Sequence, residues 1–172
     1  MSRIKNNRIQ SQAVWADTPW EDVAAYIGPH AEGFRRVWEK QRTAFAVKGH
    51  GITWSFCWPV FFLSFVWFFY RKQWLLGAVI IIIPTVFVIL FPSAKSSFGG
   101  AALVLTLMAK SFYLQDALPK IAKIRTAEPD VGLRAAKLQK AGGTSIIAGI
   151  ISGVFYALIL LAAIIPLFVQ HA

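Results

Sequence analysis

Trp58-Pro59-Val60-Phe61-Phe62-Leu63-Ser64-Phe65-Val66-Trp67-Phe68-Phe69-Tyr70-Arg71-Lys72, followed after Gln73 by an apolar run from Trp74 to Phe91, is the stretch that decides how this chain folds. From Gly51 to Phe91 the only charged side chains are Arg71 and Lys72. A run of that composition is solvated by hydrocarbon rather than by water, so the expected class is an integral membrane protein. Composition agrees: 56% of the 172 residues are hydrophobic, and the mean hydropathy of +0.54 is too high for an ordinary soluble domain.

The apolar residues fall in blocks. Three are plain, 52–70, 74–91 and 144–169, and a fourth, 96–115, is interrupted by Lys110. At about 1.5 Å per helical residue the second covers roughly 27 Å and the last roughly 39 Å, against a bilayer core of about 30 Å. The expected fold is therefore all-α, with three to four membrane-embedded helices and a short amphipathic helical N-terminal region. The polar first fifty residues do not read as a cleavable secretory signal. Cys57, the single cysteine, reads as a buried structural thiol.

Around the blocks the chain divides into five segments. Residues 1–17, with Arg3, Lys5 and Arg8 among polar residues, read as a mobile basic tail. Residues 18–50 read as cytoplasmic amphipathic helices. Thr18-Pro19-Trp20-Glu21 has the form of a helix start, Trp20, Val23, Ala24 and Ile27 form a stripe, and Gly28-Pro29 ends it. A second helix over 31–47 places Phe34, Val37, Trp38 and Phe45 on one face and pairs Glu32 with Arg36. Two short helices cannot bury these tryptophans alone, so they are expected against the membrane or against the rest of the chain. Residues 51–115 read as an aromatic helical hairpin plus a third membrane helix. Residues 116–143 read as a basic cytoplasmic segment with a helix over 129–141, and 144–172 as a C-terminal transmembrane helix.

Charge constrains the number of crossings. If all four blocks crossed, the basic cluster of 120–140 would face away from the basic N-terminal region. Three crossings remove the conflict, either with 52–70 lying in the interface or with 96–115 not crossing. The first arrangement leaves only Lys95 outside and the second only Arg71 and Lys72. The first is favoured because 52–70 is crowded with Trp and Phe, and Trp and Tyr prefer the headgroup level. Trp58, Trp67, Tyr70, Arg71, Lys72 and Trp74 are accordingly expected to anchor the chain at the membrane surface. Both arrangements place the N-terminus in the cytoplasm and the C-terminus outside.

Lys110 is an intramembrane charge on this reading. Its candidate roles are snorkelling to the interface, pairing with Asp116 or a partner subunit, and lining a transport path. In the last block Ser145, Gly149, Gly153 and Ala157 recur every fourth residue, a helix-packing face of small residues that lets another helix approach closely. Bundling within the chain and association with another subunit both satisfy it.

No catalytic constellation is legible. His30, His50 and His171 are scattered, Gly99-Gly100 and Gly142-Gly143 lack the context of a phosphate loop, and the acidic residues lie almost wholly outside the apolar blocks. Neither metal nor cofactor is expected. The net charge of +10 flanks the apolar segments and points to an anionic leaflet rather than to nucleic acid.

Tyr26-Ile27-Gly28-Pro29, then Trp58-Pro59-x-Phe61-Phe62 with Trp67-Phe68-Phe69-Tyr70-Arg71-Lys72, then Gly142-Gly143-Thr144-Ser145, resemble a bacterial membrane family known only as a domain of unknown function, over roughly residues 22–145. Members of that family usually carry Gly-Pro where this chain has Ser64-Phe65, and Met where it has Gln73. Loss of the Gly-Pro break implies a continuous first helix. The resemblance implies a small protein of the bacterial inner membrane and supplies no activity; the external C-terminus expected from the charge count is then periplasmic. The expected function is a non-enzymatic accessory or scaffold subunit packing against a larger membrane complex or a copy of itself. The alternatives are a small homo-oligomeric transporter or channel using Lys110, and a membrane-tethered adaptor recruiting a soluble partner through Trp20 and Trp38.

Overall fold

A computed structural model describes residues 12–91 and 98–169; the outer part of the N-terminal tail, residues 92–97 and the last three residues lie outside it. The described residues are helical without a strand. A helical turn at 12–17 precedes eight helices: α1 (Trp20–Ile27), α2 (Glu32–Lys48), α3 (Trp58–Leu63), α4 (Phe65–Tyr70), α5 (Trp74–Leu90), α6 (Phe98–Ala127), α7 (Val131–Ala141) and α8 (Ile146–Val169). They form two compact units. The described residues of Met1–Cys57 and Val104–Gly143 make the first, and those of Trp58–Leu103 and Thr144–Ala172 the second.

In the first unit Gly28 ends α1 with φ 75°, and Gly49 ends α2 in the left-handed conformation, its N–H bonded to the Phe45 carbonyl. The start of α1 differs from expectation. Thr18 donates its hydroxyl to the Val14 carbonyl at 2.6 Å, closing the preceding turn, and Pro19 caps α1 without a side-chain bond. That preceding turn is packed, not a free tail: Trp15 is buried and stacks on Phe45 at 4.6 Å. Phe34, Val37, Trp38 and Phe45 are buried as the stripe requires. Glu32 pairs with Arg35, 3.7 Å away, rather than being placed by an i,i+4 contact.

The expected third membrane helix is reorganised most. It runs on without a break from Phe98 to Ala127, and from Val104 onward it belongs to the first unit. Ala109, Tyr113, Leu114, Ala117, Leu118 and Ile121 are buried at helical spacing, with Tyr113 5.2 Å from Phe34. Its apolar face is thus covered by protein. Residues 51–57, expected as the start of a membrane helix, are extended instead. Their backbone reaches α6 at one-turn intervals: Ser55 N–H donates to the Leu107 carbonyl at 2.8 Å, Thr53 N–H to the Ser111 hydroxyl at 3.1 Å, and the Gln115 amide donates to the Gly51 carbonyl at 3.0 Å. Gln41, buried on α2, donates to the Ser111 hydroxyl. Alternate residues of an extended strand and every fourth residue of a helix can meet in this way. Cys57, at the end of the strap, is buried and in no disulfide.

In the second unit the block 58–70 is two six-residue helices hinged at Ser64, whose φ of 46° interrupts the helix. Each is about 9 Å long, far short of a bilayer core of about 30 Å. The turn Arg71–Gln73 then reverses the chain, with Arg71, Lys72 and Gln73 N–H groups bonded to the carbonyls of Trp67, Phe69 and Phe68. α4 packs against both α5 and α8. Gly77 of α5 lies so close to Phe69 that a Cβ there would sit 2.9 Å from the ring.

Three to four spanning helices are not what the elements provide. One helical stretch among the described residues is long and apolar enough to cross a membrane, and α8 is its apolar part. The 24 residues of α8 make roughly 36 Å, whereas the 17 of α5 make roughly 26 Å and fall short of the usual span.

Candidate functional site

Two groups of side chains stand out, one in each unit. In the first, Asp22 is buried on α1 between two guanidinium groups. Arg134 of α7 donates to its Oδ1 at 3.2 Å, and Arg125 of α6 has Nε 3.8 Å from its Oδ2. Arg125 also donates to the Asp17 carbonyl. The helix α7 starts at Asp130, which accepts the Leu133 N–H at 2.8 Å, and ends where Gly143 donates to the Tyr26 carbonyl at 2.7 Å. Gly142 is held so tightly that a Cβ there would collide with the Tyr26 carbonyl oxygen. Tyr26-Ile27-Gly28 and Gly142-Gly143, more than a hundred residues apart, are therefore one contact. Burial pushes the Tyr26 phenol well above its ordinary range, with Tyr113 and then Asp116 adding to it.

This network uses much of the basic segment. Of its six Lys and Arg residues, Lys120 pairs with Asp116 at 2.6 Å, Lys137 with Glu128, and Arg125 and Arg134 with Asp22. Lys110 is also engaged by protein. Its ammonium donates to the Gly33 carbonyl at 3.1 Å and sits 5.7 Å over the Phe34 ring. Its companion is a neutral carbonyl and an aromatic face, and Asp116 is taken by Lys120. Trp20 and Trp38 pack against each other at 5.4 Å, with Trp38 buried, and Arg35 and Arg42 lie over their rings.

The six residues expected as membrane anchors separate by exposure. Trp58 and Trp74 are 65% and 55% exposed, while Trp67 and Arg71 are buried, the guanidinium 5.9 Å over the Trp67 ring. Tyr70 and Lys72 are intermediate. Of the small-residue face, Ser145 and Gly149 pack inside the unit. Ser145 N–H donates to the Tyr70 carbonyl at 2.7 Å, and a Cβ on Gly149 would stand 3.0 Å from the Tyr70 ring. A Cβ on Gly153 would meet nothing within 4 Å, and Ala157 is exposed. The stripe thus divides into a half that seats α8 on Tyr70 and a half, Gly153 and Ala157, that seats nothing among the described residues.

Beside that seam lies an apolar groove of about 520 Å³, walled by Phe65 and Phe69 of α4, Trp74 and Ile81 of α5, and Ala148 and Phe155 of α8. Its two hydroxyl groups are engaged by α8 itself. Ser152 donates to the carbonyls of Ala148 and Gly149 at 2.6 and 3.2 Å, and Ser145 accepts the Ala148 N–H at 3.3 Å. Sequence reading missed the groove because its walls come from three elements, one of which, α4, starts only at the break at Ser64. It missed Asp22 and Trp15 because each looked like an ordinary surface residue of a helix start or a tail. The stripe gave no signal for Asp22: at about 100° per residue, position 22 falls on the far side of α1 from Trp20 and Ala24, and the face that the fold buries is that of Asp22, Val23, Tyr26 and Ile27 instead.

Among the described residues no three His, Cys, Asp or Glu side chains gather as a metal site. No curated protein and no solved structure matches the chain. The family comparison finds a match over residues 19–118, which takes in α1 to α5, the strap along α6 and most of the face that α6 buries, and stops short of Gly142-Gly143. On that match the chain belongs to DUF2628, a family described as proteins of unknown function.

Proposed function

We propose that this protein is a non-enzymatic accessory or scaffold component of a bacterial inner membrane, its second unit embedded in lipid and its first unit carried in the cytoplasm. The observation behind this reading is the outward surface of the second unit. Leu75, Val79, Ile82 and Ile83 of α5 and Ile147, Ile150, Val154 and Leu158 of α8 are all exposed. Soluble monomers do not leave apolar surface of that extent in water, and a bilayer or a partner covers it. The open half of the small-residue face, Gly153 and Ala157, is where a neighbouring helix would approach most closely. The engaged ammonium of Lys110 and the mutual packing of Trp20 with Trp38 favour this reading over a transport path or an adaptor built on those residues.

Two glycine substitutions separate internal packing from association. Gly153→Leu adds a side chain into open space and should leave the chain's own thermal unfolding unchanged while dispersing a complex purified in mild detergent. Gly149→Leu drives a side chain into Tyr70 and should lower unfolding temperature whether or not a partner is present. Purification of the wild type as a bare monomer, with Gly153→Leu indistinguishable from it, would end the scaffold reading. Release of the chain from membranes by alkaline carbonate would end the membrane reading.

A further inference from the structure

We propose that the first unit rests on the anionic headgroups of a leaflet through one edge, where the strap of 51–57 meets α2. This rests on the reading that the second unit lies in lipid. Arg36, Lys40, Ala44 and Lys48 follow one another at i,i+4 along α2 and so form one row on its surface. The three cations of the row are exposed, and among the described residues none of them joins an ion pair. Both acidic residues of α2, Glu32 and Glu39, are held instead by Arg35, at 3.7 and 3.3 Å.

The strap reaches this row at Ala44, one turn from Lys40 and one from Lys48: a Cβ on Gly51 would stand 2.6 Å from the Ala44 Cβ. Beyond Gly51 its side chains alternate. Thr53 and Ser55 give their N–H groups to α6, while the Ile52 and Trp54 side chains are exposed. Val47, also exposed, lies within about 20° of Arg36 and of Lys40 around the helix axis. An indole, two branched aliphatic side chains and three cations therefore share one edge. A merely solvated cationic face needs no tryptophan, and an apolar protein contact needs no row of cations. An anionic bilayer surface takes both, with phosphates on the cations and the indole at headgroup level. The covalent chain keeps this edge near the proposed membrane whatever the arrangement of the two units. Trp54 precedes Trp58, the exposed first residue of the second unit, by a length of chain that reaches about 14 Å at most.

The full-length protein with a nitroxide on Ile52→Cys, in nanodiscs of phosphatidylcholine alone or mixed equally with phosphatidylglycerol, tests this. Cys57 is buried and stays in place, with wild type exposed to the same reagent as the blank. In the mixed discs the nitroxide should meet dissolved oxygen and be shielded from a water-soluble nickel chelate; in phosphatidylcholine alone it should be open to the chelate. Lys40→Gln should lower the ratio of shielded to open nitroxide in the mixed discs about fivefold, the effect of one basic side chain at an anionic surface. Lys123→Gln removes an exposed cation of α6 that joins no ion pair among the described residues, and it should leave the ratio unchanged. A nitroxide on Val47→Cys should repeat the pattern, so the test stands even where Ile52→Cys does not fold. A nitroxide equally open in both discs, or equally shielded in both, overturns the proposal, and so does an equal response to Lys40→Gln and Lys123→Gln. Shielding that persists in an uncharged detergent means that an acidic protein partner or a second copy covers the edge, and overturns it as well. Failure of the chain to enter the discs would instead overturn the membrane reading beneath it.

Discussion

Asp22 carries more of the first unit than its place on a short helix suggests. It is buried on α1, and it is reached by Arg134 from α7 and by Arg125 from α6. Arg134 is itself only 15% exposed, so removing the carboxylate charge leaves a guanidinium partly desolvated without its counter-ion. Asp22→Asn keeps the shape and should cost about 1–3 kcal/mol of unfolding free energy. Asp22→Asn combined with Arg134→Gln should cost less than the sum of the two single changes, and strict additivity in urea titrations would show that the pair contributes nothing. Tyr26 makes a pH prediction in the same unit. Burial, Tyr113 and Asp116 hold its folded pKa above the ordinary value of 10.0, so the unfolded chain releases the phenolic proton first. The stabilisation is whole below about pH 10 and declines as pH rises above it. Tyr26→Phe has no proton to release, and its unfolding temperature should fall less steeply than that of wild type between about pH 9 and pH 11. Parallel slopes would mean that Tyr26 is accessible in the folded protein.

The helices carry the same lesson at a larger scale, most clearly at Ser64. The sequence resemblance places Gly-Pro at Ser64-Phe65, and its absence reads as a continuous helix over 52–70. The structure keeps the break with serine, at φ 46° and ψ −119°, a conformation that suits glycine at the first central position of a tight turn. Ser64→Gly should therefore relieve strain and stabilise the chain by about 1 kcal/mol, seen as a higher unfolding temperature. A lower one would indicate that α3 and α4 join into one helix. The helices α1, α2, α5, α7 and α8 were legible because a stripe, a terminal Gly or an apolar run of the right length marks each within its own residues. The strap over 51–57 and the true length of α6 were not. Hydrophobicity records that a side chain leaves water and says nothing of whether protein or lipid receives it, so Ile52-Thr53-Trp54 and 96–115 both read as membrane. What distinguishes α6 is the Leu107, Ser111, Gln115 row, whose polar atoms meet Gly51, Thr53 and Ser55. Partners more than fifty residues away leave no local signature.

At the scale of the whole chain, the grouping of residues restricts how the protein can sit in the proposed membrane. Residues on both sides of the second unit's first segment pack together in the first unit: α1 against α7, Phe34 against Tyr113, Asp22 against Arg134. Groups in direct contact share one face of a bilayer, so the chain between residues 58 and 103 crosses twice or not at all, and four crossings by four blocks are geometrically inconsistent with the fold. On the proposed reading α8, whose 24 residues are long enough to span, makes a single crossing. Single cysteines placed at the exposed positions Lys48 and Lys123, in a Cys57→Ala background, should react with an impermeant maleimide from the same face, and one at His171 from the opposite face. A cysteine at Lys72 then distinguishes the two remaining cases: the same face as Lys48 means that the aromatic hairpin lies in the leaflet, and the opposite face means that it crosses and returns. Lys48 and Lys123 labelled from opposite faces would break the first unit as one body, whatever the hairpin does. His171 labelled together with Lys48 would remove the crossing by α8, and the apolar surface of the second unit would then need a protein partner rather than a bilayer to cover it.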